Sequence, residues 1–218
     1  MKYIIPILFL LLSSCASQVQ RVPDITVDMD ARKYEAGAAE VQFSPLFSIG
    51  DLRKYDLDVS YYPSEDVVCL VYSMDFVRHY LFLDRDGRSL FIEALENYKY
   101  DYEKRDLVNK KTKAIKQKYG VTRSLLIWEA FKYSGQGLSH PQLRLGYYFV
   151  KGAPYFAITI PEAKNVSKLT GDKTLNSAMQ ILYFTRAQAD MLVALFDQDY
   201  LKGLGAPSAA GPADVEAY

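Results

Sequence analysis

Apolar and polar residues follow two different periods along the chain, and the change of period separates predicted strands from predicted helices. Residues 57–62 alternate as in a β-strand, 67–72 are continuously apolar, and 76–83 form another apolar run. The apolar positions then recur at intervals of three and four. This period predicts an amphipathic helix over about 86–106, with Asp84 as its N-cap.

The second half of the chain returns to strand-like patterns and ends in a second helix. The predicted strands are, in order, 121–131, 143–150, 155–160 and 179–184. A turn at 151–154 joins the second and third of these strands as a hairpin. Thr185 begins the second helix, which is predicted to reach about Tyr200, because Thr185 and Gln188 match the capping-box pattern.

These elements predict an α+β domain: a mostly antiparallel sheet with two helices packed on one face. Shifting residues 80–95 by 101 positions places each apolar position on an apolar position of 181–196, and Arg85 on Arg186. This match favours a diverged internal repeat of strands followed by one helix. A generic strand–cap–helix unit has the same pattern, so both explanations stay open.

The first fifteen residues differ from the rest of the chain. Lys2 precedes an apolar run over 4–12, and two serines then lead to Cys15. This is the order of an export signal, and the run is far shorter than the roughly 20 residues of a membrane-spanning helix. Leu12-Ser13-Ser14-Cys15 resembles the lipobox of bacterial lipoproteins. The alternative is an ordinary signal peptide or a buried strand in which Cys15 is incidental.

The lipoprotein resemblance implies how the protein is placed in the cell. It implies a signal peptide over 1–14, removed by cleavage, and acylation of Cys15, typically with three chains such as palmitate. Each buried CH₂ contributes roughly 0.8 kcal/mol, so three chains would make attachment to the bilayer effectively permanent. Ala16 stands where enterobacterial lipoproteins of the inner membrane have Asp, which implies the outer membrane. The side of that membrane stays open.

Composition predicts the remaining boundaries. Residues 15–43 are polar and read as lipid anchor and flexible tether. Residues 44–202 are predicted to form a single globular domain. The stretch 203–218 is rich in small residues and is predicted to be a disordered tail.

Charge and cysteine content narrow the classes of protein. The chain has 26 basic and 26 acidic residues, so it has no overall attraction to nucleic acid or anionic lipid. Hydrophobic residues make up 50% and aromatic residues 14%, as in a globular chain. With Cys15 bound to lipid, Cys69 has no intramolecular partner, which excludes a disulfide-stabilised domain. Cys69 is predicted to be a small buried hydrophobe.

One motif has the form of a calcium loop. Asp84, Asp86 and Glu93 would fall on positions 3, 5 and 12 of an EF-hand loop. Phe82 stands at the first ligand position and cannot coordinate a metal. The favoured interpretation is therefore an acidic N-cap, stabilised by the backbone N–H groups and dipole of the helix. No metal or other cofactor is predicted.

No catalytic constellation stands out. His79 and His140 are the only histidines, and neither has a His, Cys or carboxylate at metal-ligand spacing. No nucleophile-elbow pattern accompanies them. Both are therefore interpreted as ordinary strand and loop residues.

Lysines and arginines are concentrated between residues 104 and 118, interleaved with tyrosines. Lys111, Lys113 and Lys116 are central to this stretch. A basic segment with aromatic neighbours can bind anionic polymers or headgroups. A solvated helix end that runs into a charged edge strand has the same composition.

Tyrosine is in excess, with 18 residues, and two pairs are adjacent. Tyr61-Tyr62 and Tyr147-Tyr148 fall in predicted strands, where one member of each pair must point away from the core. Exposed tyrosines suit recognition surfaces. The alternative is a sheet with both faces covered.

We therefore expect an envelope lipoprotein with a non-catalytic binding or adaptor domain for an envelope protein or a cell-wall polymer. Export makes nucleic acid an improbable partner. An envelope-polymer hydrolase with a dispersed site, and a structural subunit of an envelope assembly, are the alternatives. A deep pocket with two carboxylates or a His–carboxylate pair would favour the hydrolase, and a shallow tyrosine face would favour the binder.

Overall fold

The computed structural model describes residues 24–44, 51–74, 76–109, 113–130, 136–166 and 176–205. Cys15 and the segment 206–218, for which a lipid anchor and most of a disordered tail are predicted, lie outside the described residues. So does Lys111.

Ten strands within the described residues form one antiparallel sheet, which curves into a half-barrel. They are β1 (Tyr34–Phe43), β2 (Arg53–Tyr62), β3 (Val67–Met74), β4 (Val77–Leu83), β5 (Gly120–Arg123), β6 (Leu125–Ala130), β7 (Gln136–Ser139), β8 (Gln142–Val150), β9 (Ala153–Ile160) and β10 (Gln180–Phe184). The spatial order is β5-β8-β9-β10-β1-β2-β3-β4-β6-β7.

Four helices are present in the same residues. They are α1 (Arg85–Lys104), α2 (Lys113–Lys116), α3 (Arg186–Phe196) and α4 (Gln198–Leu204). The predicted second helix is divided because Asp197 caps α4, and its side chain accepts a hydrogen bond from the Tyr200 backbone N–H at 2.8 Å. None of the described helices combines the length and apolar character needed to cross a membrane.

The main core lies inside the curve of the sheet. Residues of α1, α3 and α4 share one buried cluster with the inner residues of the strands. Phe91 is at its centre, with ring contacts to Phe156, Phe184 and Phe196 at 5.2–6.5 Å between centroids. The predicted α+β class with a mostly antiparallel sheet is confirmed. The predicted pair of helices packed on one face is wrong in number and in packing: α1, α3 and α4 share the inner core, whereas α2 lies against Gly146 of β8.

A second core covers the outer side of β2, β3, β4 and β6. Tyr62, Cys69 and Phe82 are buried there beneath Ile25, which is itself only 6% exposed. Burial raises the pKa of the Cys69 thiol. The amino-terminal segment from residue 24 therefore belongs to the folded domain.

Strand β1 moves the domain boundary that composition predicted. It lies between β10 and β2 in the middle of the sheet, although it falls within the predicted tether. Its alanines, glycine and glutamates have no strong strand pattern, and its register shifts between Glu35 and Gly37. A Cβ on Gly37 would lie 2.9 Å from Leu195 Cδ2, so α3 packs closely on this strand. The strand forms because it pairs with β2 along one edge and with β10 along the other. The local sequence does not predict it.

The apolar run predicted as one strand over 121–131 is divided in two. β5 pairs with β8, whereas β6 pairs with β4 at the other end of the sheet order. Ser124 lies between them, is buried, and donates a hydrogen bond from Oγ to the Pro141 carbonyl at 2.8 Å. The chain therefore crosses the open side of the half-barrel at this residue.

Two parts of the fold have the same order of elements. The amino unit (β2, β3, β4 and α1) and the carboxy unit (β8, β9, β10 and α3) each consist of three consecutive antiparallel strands that lead into a helix. Both predicted N-caps are confirmed: Asp84 accepts from the Gly87 N–H at 2.8 Å, and Thr185 forms a capping box with Gln188. A common origin of the two units stays a prediction.

Candidate functional site

Three half-buried tyrosines lie together on the outer side of the carboxy unit. Tyr148 on β8, Tyr155 on β9 and Tyr183 on β10 form what is called here the tyrosine surface. The Tyr183 ring centroid lies 5.6 Å from that of Tyr148 and 6.3 Å from that of Tyr155, both edge to face. The Tyr148 hydroxyl is 3.3 Å from Thr159 Oγ1. The rings are therefore held in place before any partner binds.

Helix α2 places a cation beside the tyrosine surface. It lies against Gly146 of β8, where an added Cβ would be 2.2 Å from the Ile115 carbonyl oxygen. Only glycine permits this approach. Lys116 Nζ is consequently 5.5 Å from the centre of the Tyr148 ring, within the range of a cation–π interaction.

The Tyr183 hydroxyl is a neutral hydrogen-bonding group. Burial raises the pKa of Tyr183 to about 12, and the neighbouring Tyr148 adds to the shift. The Tyr183 hydroxyl is therefore protonated at physiological pH and can both donate and accept a hydrogen bond. The surface presents three aromatic rings with their hydroxyls and the Lys116 side chain.

The other tyrosines proposed from the sequence are buried in one of the two cores. Tyr61 is 4% exposed and donates a hydrogen bond to Asp66 Oδ1 at 3.1 Å, and Tyr62 is 1% exposed in the second core. Tyr147 is 2% exposed, and its hydroxyl accepts a hydrogen bond from the Val108 N–H at 3.0 Å. These three residues are not part of an exposed surface, because β2 and β8 are covered on their inner sides and β2 also on its outer side.

The lysine-rich stretch is divided between different environments. Lys116 is half-buried beside Tyr148, whereas Lys118 forms a salt bridge of 2.6 Å with Asp101. Lys113 begins α2, and only its backbone is described. Of the three lysines proposed from the sequence, Lys116 is the one that the structure brings to the tyrosine surface.

A second candidate site is a cleft where β2 and β3 separate. The two strands pair from Tyr62↔Val67 to Asp58↔Val71, and the pairing stops there. Beyond this point β2 follows β1 and β3 follows β4. The cleft that opens between them has a volume of about 260 Å³ and is lined by Tyr55, Asp56, Asp58, Val71, Tyr72, Ser73 and Arg78.

The walls of this cleft differ in chemistry. Asp56 and Asp58 are exposed on β2, while Ser73 and Arg78 are cross-strand partners on β3 and β4. The floor is rigid, because the buried Tyr72 hydroxyl donates to Gln180 Oε1 at 2.6 Å. The cleft is small and open to solvent. It contains two carboxylates but no imidazole.

The two histidines have no carboxylate partner among the described residues. His79 is 3% exposed and stacks on Tyr72 at 5.1 Å between ring centroids. Its Nδ1 has no hydrogen-bond partner in the part of the chain that the structure describes. Burial lowers the pKa of His79 to about 4, so the ring is neutral at physiological pH. His140 Nε2 lies 3.2 Å from the Ile25 carbonyl oxygen.

The weak calcium candidate is explained by helix capping and an ion pair. Both carboxylate oxygens of Asp84 are used: Oδ1 accepts from Gly87 and Oδ2 accepts from Arg123 Nε at 2.8 Å. A guanidinium at this position opposes a cation. Asp86 and Glu93 are exposed on α1, and no group of three possible metal ligands occurs among the described residues.

Sequence reasoning missed two of the three surface tyrosines, although a signal for one of them was present. The Lys151-Gly152 turn fixes the register that places Tyr148 opposite Tyr155. Alternation along β9 then puts Tyr155 on the outer side. The position of Tyr183 depends on the long-range pairing of β9 with β10, which no local pattern specifies.

A family model described as "Uncharacterised Treponema protein" matches residues 19–203, a range that includes the tyrosine surface and the cleft. No curated protein and no solved structure matches the chain.

Proposed function

We propose that this chain, which belongs to the family described as "Uncharacterised Treponema protein", is a lipid-anchored envelope protein whose domain binds a partner protein without catalysis. The lipobox-like sequence that ends at Cys15 supports the anchor, and Ala16 supports the outer membrane. The tyrosine surface together with Lys116 is the proposed docking site. A cell-wall polymer is the alternative ligand for the same surface.

The observation that carries this proposal is the fixed arrangement of Tyr148, Tyr155 and Tyr183. Tyrosine rings supply large amphipathic contact area with little loss of conformational entropy, and they are enriched at energetic centres of protein interfaces. Their edge-to-face packing at 5.6 and 6.3 Å means that docking does not need to order them. Lys116 adds a charge that selects a partner with a carboxylate opposite it.

A binding role has more support than hydrolysis. A catalytic histidine must reach the substrate, whereas His79 is buried and neutral. The two carboxylates of the cleft, Asp56 and Asp58, stand on exposed strand positions and are not enclosed in a deep pocket. The hydrolase therefore remains the second candidate.

The anchor is tested by metabolic labelling with palmitate. We expect wild-type protein to incorporate label and to fractionate with membranes, and Cys15→Ala protein to lose both properties. Cys69→Ala is the matched control, because that thiol is buried and its replacement leaves labelling unchanged. Wild-type protein that takes up no label would contradict the anchor without affecting the docking site.

The docking site is tested by a photo-crosslinking amino acid at Tyr183 in living cells. We expect one protein adduct that is absent when the same group replaces Tyr100, which is 61% exposed on α1. The adduct is identified by mass spectrometry and the partner purified. Tyr148→Ala and Tyr183→Ala should each weaken binding of that partner tenfold or more, and Tyr100→Ala should not. Equal adducts at both positions would contradict the proposal.

A further inference from the structure

The turn between β3 and β4 exposes an aromatic side chain in a conformation that favours glycine. Met74 pairs with Val77, so the connection has two residues. The second of them, Phe76, has φ +66° and is 84% exposed. The left-handed region is disfavoured for a residue with a side chain, and Phe76 buries little surface to offset this.

The turn between β8 and β9 is the internal control for this observation. It also has two residues, between the pair Val150 and Ala153. Lys151 has φ +50° and Gly152 has φ +85°. Glycine at the second position is what such hairpin turns favour. At the same position the first turn has phenylalanine, which indicates a role for Phe76 outside folding.

Phe76 lies in the turn that adjoins the cleft between β2 and β3, although it is not one of the residues that line the cleft. Ser73 and Arg78, which line the cleft, form the strand pair next to Met74 and Val77. The turn and the adjoining wall of the cleft therefore offer an exposed ring two residues along the chain from Arg78, whose strand pair with Ser73 carries a guanidinium and a hydroxyl.

The polar side chains of the cleft are not committed to ion pairs. Asp56, Asp58 and Arg78 take part in none of the salt bridges found among the described residues. Two carboxylates offer acceptors on the β2 side, and Arg78 and Ser73 offer donors on the other side. The cleft can therefore hydrogen-bond a ligand from both sides without breaking an existing pair.

We propose that this cleft is a saccharide-binding site with Phe76 as its stacking platform. Sugar hydroxyls need acceptors and donors together, and the apolar C–H face of a sugar ring packs on an aromatic ring. A volume of about 260 Å³ suits a single sugar ring of a longer glycan. Two carboxylates against one guanidinium select an uncharged saccharide over an anionic one. The proposal is independent of the lipid anchor and of the tyrosine surface.

The test is an NMR titration of the isotopically labelled full chain. Cellotriose and chitotriose are the two added ligands. We expect millimolar sugar to shift the amide signals of residues 55–58 and 71–78. Trigalacturonate, an anionic trimer of similar size, should bind at least tenfold more weakly. The Asp58→Asn variant should weaken binding of the uncharged trimers by a similar factor.

The decisive variant is Phe76→Gly, because it separates binding from folding. We expect its melting temperature to rise, while its affinity for the trimers falls tenfold or more. Loss of binding by a more stable protein cannot come from misfolding. Tyr100→Ala, which removes an exposed ring elsewhere, should leave affinity unchanged.

Several outcomes would overturn the proposal. No shift with either uncharged trimer, or unchanged affinity of Phe76→Gly, excludes a saccharide site in the cleft. Shifts confined to Tyr148, Tyr155 and Tyr183 would move the saccharide to the tyrosine surface and support the polymer alternative there. A photo-crosslinker at residue 76 that captures one protein in cells, without any sugar-induced shift, would assign Phe76 to a protein interface.

Discussion

The amino and carboxy units hold their helices onto the sheet by different means. Arg88, in the first turn of α1, is 2% exposed, and the position 101 residues later in α3 is Ala189, which is fully buried. Arg88 Nη2 donates to Asp66 Oδ1 at 2.7 Å and to Gln198 Oε1 at 2.8 Å, and Nη1 donates to the Asp66 carbonyl at 2.7 Å. Around Ala189 the contacts are those of the apolar core.

This difference shows that a buried guanidinium can fix the orientation of its neighbours, which apolar packing does not do. Apolar contacts are non-directional, whereas the guanidinium fixes three groups at defined angles. Gln198 belongs to α4 and Asp66 to the β2–β3 turn. Arg88 thereby fastens α4 to the amino unit. In the carboxy unit the buried but uncharged Gln188 of α3 bonds Gln42 and Glu40 of β1 instead.

A second pair of equivalent positions differs in hydrogen bonding. His79 and Gln180, also 101 residues apart, both lie beside Tyr72. Gln180 accepts from Tyr72 and donates from Nε2 to Ser177 Oγ at 3.0 Å, whereas His79 Nδ1 has no partner among the described residues. The amino unit therefore contains both the buried guanidinium of Arg88 and a buried ring nitrogen without a partner among the described residues.

The largest expected effect comes from removing the anion beside Arg88. Asp66→Ala leaves a buried guanidinium without its carboxylate, which should lower the free energy of unfolding by about 3–5 kcal/mol. Urea unfolding measures this value. The control in the carboxy unit is Asp190→Ala, which removes an exposed ion pair with Lys99 and should cost less than about 1 kcal/mol. Equal losses would mean that the two units are held in the same way.

The second-largest expected effect is a pH dependence of the free energy of unfolding, which arises from His79 in the amino unit. The pKa of His79 is about 4 in the folded protein, below its usual 6.5, so the unfolded chain binds the proton first as pH falls. The contribution of His79 to the free energy of unfolding is fully present well above pH 6.5. It decreases by about 3 kcal/mol as the pH falls to 4. His79→Gln, which copies the carboxy unit, should flatten urea-unfolding free energies over this range. A slope unchanged by the variant would assign the acid sensitivity to other groups.

The two N-caps should differ by a smaller amount. Asp84→Ala removes a cap and the partner of Arg123, and should lower the free energy of unfolding by about 2 kcal/mol. Thr185→Ala removes a cap alone and should cost about 1 kcal/mol. Thermal unfolding of both variants gives the comparison. If Thr185→Ala has the larger effect, the capping box is the stronger of the two devices.

The smallest expected effects are those of the two-residue turns. Gly152→Phe should lower the free energy of unfolding by about 1 kcal/mol, and Phe76→Gly should raise it by a similar amount. The double variant, which exchanges the two residues, should therefore unfold near the wild-type temperature. A double variant that differs by more than the sum of the single effects would show that one turn is not strained as described.

Local signals were sufficient for the features that depend on neighbouring residues. Asp84 was predicted as a cap because it stands just before the helical period, and Thr185 because Gln188 completes a capping-box pattern; both caps are confirmed. The Lys151-Gly152 hairpin was likewise predicted from neighbouring residues. The break at Asp197 is also local, but its signal was overlooked, because an Asp within an apolar period also fits an exposed helix position.

Features that depend on distant partners were not predictable in this way. β1 was assigned to a tether because its strand character comes from β2 and β10. The cleft exists only because the pairing of β2 and β3 stops at Asp58. No local sequence pattern near Asp58 predicts where this pairing ends. The predicted alternation over 57–62 implies that Asp58 faces away from the core side of Leu57, whereas Asp56 lies outside that predicted strand.

The position of β1 has a consequence for the time course of folding. Its partner β2 follows it directly in the chain, but β10 is about 140 residues away, with the pair Gln42 and Tyr183 between them. Chains are synthesised from the amino end, so one edge of β1 stays open until almost the whole domain has emerged. An open strand edge is a template for pairing with other chains. β1, the first strand among the described residues, is thus one of the last to be paired on both edges, and its open edge can meet other chains until β10 has been made.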